Sequence, residues 1–294
     1  MIRVVIVGYG NIGRFAVDAV QAAQDMELVG IIRRKAEQKE ICGIPVAESV
    51  DDFEKPDAAL LCIPTRSIEE IAPIYLSKGI NTVDCFGMQS KIVSLRKKLD
   101  VIAKENDRTA VVAAGLDPGG NSVVRAIMQA CAPKGITYTN YGPGMSIGHT
   151  VAVKSKKGVV DALSMTIPKG AGVHSRMVYV QLESSARLED VAADVKADPY
   201  FANSETTVIE TDNVDALFDM GHSVNTIRKG VSGKTHNQLF KFNMEINNPA
   251  LTSQLMVGCA RAARRQTPGA YTILELPIID LLQGEREEWI TKLI

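Results

Sequence analysis

Along residues 1–118, short apolar runs alternate with stretches whose apolar residues return at helical spacing. The runs at 2–7, 27–32, 58–63, 82–85 and 109–114 predict strands. Between the first two, Phe15, Ala16, Ala19, Val20 and Ala23 mark one face of a helix over 14–23, and further helices are expected around 67–77 and 90–105. Strands this uniformly apolar have no polar face to show to water. They predict a parallel sheet covered on both sides by the intervening helices.

Past Gly120 the rhythm changes. A helix to about 132 leads into strand-like segments at 136–139, 162–167 and 177–183, joined by turn-rich linkers such as Gly142-Pro143-Gly144 and Lys169-Gly170-Ala171-Gly172. This predicts a second, α+β domain with a mixed sheet, carrying a substrate surface and a subunit contact. A last long helix is expected over 251–265, and a tail through 278–282 is expected to return to the first domain. The chain of 294 residues suits two domains better than one core, divided here as 1–118 with 266–294, and 119–265.

The turn after the first strand reads Gly8-Tyr9-Gly10-Asn11-Ile12-Gly13, a GxGxxG with strand before and helix after. The first glycine turns tightly, the second lets backbone approach a pyrophosphate, and the third lets helix and strand pack closely. The helix N-terminus offers N–H groups and a positive dipole to the phosphates. The first domain is therefore expected to be an N-terminal Rossmann doubly wound sheet in an α/β protein, holding a dinucleotide at Gly8, Gly10, Asn11, Ile12 and Gly13. At the end of the second strand an NAD-binding protein carries an acid for the ribose 2′-hydroxyl, whereas this chain has Arg33-Arg34-Lys35. Guanidinium groups attract a 2′-phosphate, so NADP(H) is the expected cofactor, with a solvated basic turn as the bland alternative. Thr65 and Arg66 lie at a strand's carboxyl end and are expected beside the cofactor, although Thr65 or Ser67 equally suits a helix N-terminus.

Charge adds mainly exclusions. A formal net charge of -1 gives no electrostatic reason to bind nucleic acid or an anionic membrane, and a small-molecule partner is favoured. The opening MIRVVIVGYG lacks signal-peptide features and no apolar run approaches the roughly 20 residues of a membrane span, so a soluble cytoplasmic protein is expected. Five cysteines without a CxxC pair indicate neither a disulfide framework nor a zinc knuckle, and no metal site is expected. Cys62 and Cys85 read as small buried hydrophobes.

The segments Gly115-Leu116-Asp117-Pro118-Gly119, Gly142-Pro143-Gly144-Met145-Ser146-Ile147-Gly148-His149-Thr150, Thr166-Ile167-Pro168, Gly172-Val173-His174-Ser175-Arg176, Lys234-Thr235-His236 and Asn247-Asn248-Pro249 keep one order along the chain. In that order they resemble the substrate-domain motifs of meso-diaminopimelate dehydrogenases, most closely the branch with broader substrate tolerance. The resemblance implies a homodimer that catalyses reversible NADP(H)-linked oxidative deamination at the D-configured carbon of meso-2,6-diaminopimelate, giving a 2-oxo acid and ammonia. It places Asp117 beside the reacting amino group, where a carboxylate suits persistent positive charge. It sets Thr166, Arg176, His236 and Asn248 around the non-reacting L-centre, with His222 near a substrate-facing position. Ser146, Gly148 and His149 fall in a turn whose backbone N–H groups suit the reacting-centre carboxylate. Each has a bland alternative: Asp117 a turn residue, Thr166 a sheet residue, Arg176 a surface charge, His236 a core histidine, Asn248 a turn residue before proline.

Two positions depart from the family pattern on the reacting side. Gly87 stands where the family carries an aspartate, and Leu116 where it carries a tryptophan. Losing a carboxylate and a large aromatic opens volume and removes an ammonium partner. An altered-specificity D-amino acid or amine dehydrogenase is therefore an alternative, and a non-enzymatic NADP(H) sensor a further one. A dehydrogenase of hydroxyl substrates ranks last, for want of a clear Lys or His acid-base partner.

Overall fold

A computed structural model describes residues 1–217 and 221–294 and divides the chain into two compact units, Met1–Val123 with Pro249–Ile294, and Val124–Asn248. The elements of the first run β1 (Ile2–Val7), α1 (Asn11–Gln21), β2 (Met26–Ile32), β3 (Glu40–Ile41), β4 (Ile44–Ala47), β5 (Ala58–Leu61), α2 (Thr65–Ser77), β6 (Asn81–Asp84), α3 (Ile92–Glu105) and β7 (Thr109–Val112). Helix α4 (Gly120–Cys131) carries the chain into the second unit, built of β8 (Lys134–Met145), α5 (Ile147–Lys154), β9 (Val159–Gly170), β10 (Val173–Leu182), α6 (Leu188–Lys196), β11 (Glu205–Glu210), β12 (Gly221–Ser232) and β13 (Thr235–Asn247). Helix α7 (Asn248–Ala263), β14 (Gly269–Thr272) and α8 (Arg286–Leu293) complete the first unit.

The first sheet has the order β14-β7-β6-β5-β1-β2-β4-β3 and is parallel except where the short β3 turns back on β4. Strand order reverses between the neighbours β1 and β5, which makes their carboxyl ends the crevice for a ligand. Alternation along β1 divides the core. Val4 and Ile6 pack with Ala16, Val17 and Val20 of α1, while Val5 and Val7 pack with Ile68 of α2 and Leu95 and Leu99 of α3.

Helix α7 joins the α1 layer through Met256, Val257, Cys259 and Ala260. This helix, expected from sequence in the second domain with the return beginning at 266, belongs to the first unit. It is apolar around most of its circumference and so belongs inside a large core rather than on a cleft surface. Arg261 secures it, donating from Nη2 to Asp25 at 2.8 Å and from Nη1 to the Leu281 carbonyl at 2.6 Å.

The second sheet has the order β11-β10-β9-β8-β12-β13 and is mixed, β10–β11 being its parallel pair. Helices α5 and α6 cover one face through Ala152, Val153, Val191 and Val195, packed on Ala162, Val178 and Val180. Gly142-Pro143-Gly144, read from sequence as a linker, lies within β8. Gly144 pairs with His222 and Tyr141 with Val224, so two residues of β8 oppose one of β12 in a β-bulge. Gly142 is confined there: its φ is +88° and a Cβ would lie 2.1 Å from the Thr166 carbonyl oxygen.

Candidate active site

In the first unit the fingerprint has the shape its chemistry requires. A Cβ on Gly8 would lie 2.5 Å from the Cys62 carbonyl oxygen and one on Gly13 would lie 2.1 Å from that of Gly8, so both are glycine because protein crowds them. Gly10 is different, with nothing within 4 Å of its Cβ position. The space there fits a pyrophosphate. Gly10 is also the N-cap of α1 and brings no side-chain bond to it, so the first-turn amides, beginning at Asn11 and Ile12, have no side-chain competitor. The Ile12 carbonyl accepts from Ser253 Oγ of α7 at 2.8 Å, anchoring this turn. Arg33 and the exposed Arg34 follow β2 directly, and the Arg33 N–H is bonded to the Ala47 carbonyl at 2.9 Å.

At the carboxyl ends of β5, β6 and β7 the strand-end loops are tied to one another. Thr65 begins α2 but does not cap it; the cap position is Pro64. Its Oγ1 instead accepts the Gly87 N–H at 3.3 Å. Arg66 follows, exposed, in the first turn. A Cβ on Gly87 would meet only Thr65 Oγ1, at 3.6 Å, so the position can hold a side chain. Leu116 is 7% exposed, and Asp117 is half-buried, its Oδ2 accepting from Asn121 Nδ2 at 2.9 Å.

In the second unit one row of register partners crosses the sheet: Arg176 on β10, Thr166 on β9, Gly144 on β8, His222 on β12 and Ile246 on β13. Directly opposed residues project to the same face, so two small residues lie between two long polar ones, about 14 Å apart at ~4.8 Å per strand. The result is a polar trough. Arg176 Nη1 donates to Thr166 Oγ1, while Arg176 Nε and His222 Nδ1 are buried without a hydrogen-bond partner. Burial lowers the Arg176 pKa to about 10; burial and then the Arg176 charge hold His222 below its ordinary value. Arg228 on the same face shows what a structural arginine looks like. Its Nε donates to the Ala132 carbonyl at 2.7 Å and its Nη1 to Thr137 Oγ1 at 2.8 Å. A guanidinium only donates, so the buried Arg176 Nε suits an anionic group.

The trough lies where the ladder opens, since the β8–β9 pairing comprises Gly144 with Thr166 and Met145 with Met165. Beyond it the Tyr141 N–H finds His174 Nε2 at 2.8 Å, and the two rings lie 5.4 Å apart. The Tyr141 hydroxyl accepts from Arg125 Nη1 at 2.9 Å. Sequence reasoning passed over His174 and Tyr141 as individuals. The signal for His174 was its place two residues before Arg176 on a strand, hence on the same face.

Ser146 precedes α5 without capping it, because its Oγ bonds His149 Nδ1 at 2.7 Å. His149 Nε2 meets the Tyr200 carbonyl at 2.8 Å, and a carbonyl only accepts, so Nε2 carries the proton. Burial, followed by the Arg176 charge, pulls His149 down to about 3; the ring is neutral and Ser146 Oγ donates to Nδ1. This neutral histidine shapes the turn, and its one N–H is engaged by the Tyr200 carbonyl. Gly148 lies in the first turn of α5 next to the Tyr200 ring.

The structure does not bring His236 to this row. His236 is exposed at the opposite end of β13 from Ile246, about 33 Å along the strand. His222 occupies the trough instead. Asn248 follows Asn247, the register partner of Gly221, and so stands at the trough's end of β13.

Family models match both parts of the chain: an NAD-binding Rossmann-fold oxidoreductase family over residues 2–84, and the diaminopimelic acid dehydrogenase C-terminal domain over residues 115–248. A meso-diaminopimelate D-dehydrogenase from Bacteroides fragilis is 55% identical, covering 100% of this chain and 99% of its own. The chain belongs to the meso-diaminopimelate dehydrogenase family. Among solved structures, a C. glutamicum DAP dehydrogenase in complex with DAP matches with a TM-score of 0.91 at 28% identity, over 100% of this chain and 99% of that one. An engineered D-amino acid dehydrogenase bound to NADP+ matches with a TM-score of 0.90 at 27% identity, over 100% and 99% of the two chains. Family membership makes the chain an oxidoreductase of the amino-acid dehydrogenase type. Among the described residues no helix is long and apolar enough to cross a membrane.

Proposed function

We propose that this chain is an NADP(H)-dependent dehydrogenase of meso-2,6-diaminopimelate, oxidising the D-configured amino-bearing carbon to a 2-oxo acid with release of ammonia, reversibly and in the cytoplasm. The observation that carries this reading is the trough bounded by Arg176 and His222, where the buried guanidinium Nε of Arg176 is without a hydrogen-bond partner and suits a carboxylate of a dicarboxylic substrate. Thr166 supports the guanidinium, and Asn248 at the end of the row supplies a further amide. The open cradle at Gly10 and the Arg33-Arg34 pair after β2 fit a dinucleotide with a 2′-phosphate. NADP+, when bound, supplies the hydride acceptor.

The chain's own residues do the rest. The uncapped amides of α5, with Ser146 turned away to His149, suit the carboxylate at the reacting centre. Asp117 offers negative charge where the ammonium binds and positive charge persists as the carbon becomes an iminium. Holding both ends of the substrate fixes which carbon presents its hydrogen, and that orientation accounts for a large share of such catalysis. The sheet face opposite the trough carries Ile136 and Leu239, 58% and 53% exposed, in one row with Lys229. The two exposed aliphatics flanking Lys229 are compatible with the homodimer that family resemblance implies.

Open space at Gly87, together with the aliphatic Leu116, favours a second reading in which bulkier D-amino acids or their 2-oxo acids are also accepted. The test is NADPH formation followed spectrophotometrically with meso-diaminopimelate and a panel of D- and L-amino acids. Turnover with the meso compound, absent with the L,L isomer, is expected. Turnover with none of the panel would overturn the proposal.

A further inference from the structure

Asp84 ends β6 with its side chain 0% exposed. Its Oδ1 accepts two backbone N–H groups, Phe86 at 2.8 Å and Ala113 at 3.0 Å, and its own carbonyl accepts Ala114 N–H at 2.7 Å. Phe86 introduces the loop carrying Gly87, and Ala113 the loop carrying Leu116 and Asp117. One carboxylate oxygen therefore governs both loops. Ala113 is held at φ +61°, where residues with a side chain seldom sit, so its conformation depends on such a restraint.

The charge on Asp84 is hard to justify as structure. Oδ2 is buried without a hydrogen-bond partner, and among the described residues no ion pair reaches the group. The titratable groups that feel its charge are Cys85, beside it, and Cys259 of α7; both thiols are pushed up to about 12, mainly by burial, and stay neutral. Burial raises Asp84 itself from 3.8 to about 6. An asparagine would present the same acceptor oxygen to Phe86 and Ala113 without the cost of a buried charge. What the ionised form adds is strength in those two bonds, because a charged acceptor holds N–H groups more tightly.

The geometry points to Asp84 as a positioning residue for the reacting side, its ionised carboxylate holding the Gly87 and Asp117 loops in their working form. This deepens the dehydrogenase reading and rests on it. Activity should then depend on ionisation of Asp84, while folding stability should show the opposite preference. The folded-state pKa is raised, so the native state gains relative stability as pH falls from about 6 toward 3.8 and gives it up above about 6.

The experiment compares the full chain with Asp84→Asn between pH 5 and 8.5. Wild-type-to-variant kcat ratios cancel titrations that the two proteins share. The expected ratio is about tenfold at pH 8, shrinking toward one near pH 5, with KM for NADP+ unchanged. Melting temperature should be higher for the variant at pH 8, the gain fading at acid pH. Amide exchange over 113–117 should be faster in the variant at pH 8. A ratio of one throughout, or a variant less stable at pH 8 with unaltered exchange, would overturn the assignment. If the wild type turned over no amine, the dehydrogenase reading would fail, and exchange and melting would still decide the role of Asp84.

Discussion

The Gly8–Gly13 turn and the trough of the second unit present their polar groups by opposite constructions. At the turn, Gly8 to Gly13 are neighbours in sequence, and the work falls to backbone amides and one empty Cβ position. In the trough, Arg176, Thr166, Gly144 and His222 come from four strands, and the work falls to buried side chains meeting through sheet register. The first construction tolerates almost any side chain outside its glycines, whereas the second is specific and depends on every strand pairing between β10 and β12. A nucleotide pyrophosphate needs only the first. Telling one amino acid from another needs the second.

That contrast can be broken most severely at the acid between the strand ends. Asp117→Asn should keep fold and cofactor affinity while lowering kcat/KM roughly a hundredfold or more, since a charge partner of the reacting amine is lost. Unchanged turnover in a steady-state assay would return Asp117 to its role as Asn121's partner. Next comes the trough. Arg176→Leu should cost about a hundredfold in kcat/KM for diaminopimelate and far less for a monocarboxylic D-amino acid, which has no second carboxylate to lose. Equal losses on both substrates would show that Arg176 supports the fold rather than the distal carboxylate.

The turn should respond more mildly. Replacing Arg33 and Arg34 together by serine should weaken NADP(H) about ten- to a hundredfold and leave NAD(H) nearly untouched, measured by cofactor titration. Parallel loss with both cofactors would remove the 2′-phosphate assignment. Smallest is a several-fold change of preference: Gly87→Asp with Leu116→Trp should move relative kcat/KM from bulky D-amino acids toward diaminopimelate. Gly87 has room for the added side chain, whereas Leu116 is buried and an indole there overpacks its surroundings, so the tryptophan variant should also lose about 1–3 kcal/mol of stability. Both single variants are needed, because two substitutions acting on one substrate preference need not add. The same substrate ratio in all four proteins would make these positions neutral.

The same contrast explains what could be read from sequence. The parallel sheet, its alternating helices and the phosphate turn were legible because each is a local pattern: a run, a period or a fixed spacing of glycines. The trough was legible only through family resemblance, which named Thr166, Arg176 and, near a substrate-facing position, His222, but set His236 beside them as well. Local sequence does not say which of two histidines on adjacent strands faces a given arginine. Register decides that, and here it is set by the β8 bulge, which reads as a turn in sequence. Arg176 and Arg228 look alike in the chain, and only their partners separate a buried guanidinium with an unpartnered Nε from one bonded to backbone and side chain. Helix α7 was misplaced because an all-round apolar helix records that it is buried without recording where.

The discontinuity of the first unit sets an order of events during synthesis. Residues 124–248 form a contiguous unit and emerge whole, whereas the sheet begun at Ile2 still lacks β14 at its edge and α7 on its α1 side. Until residues 249–294 arrive, the surface destined for Met256, Val257, Cys259 and Ala260 stays bare, an apolar patch of the kind that recruits chaperones or aggregates. The unit begun first is therefore the last to be finished, since its core waits for residues 249–294.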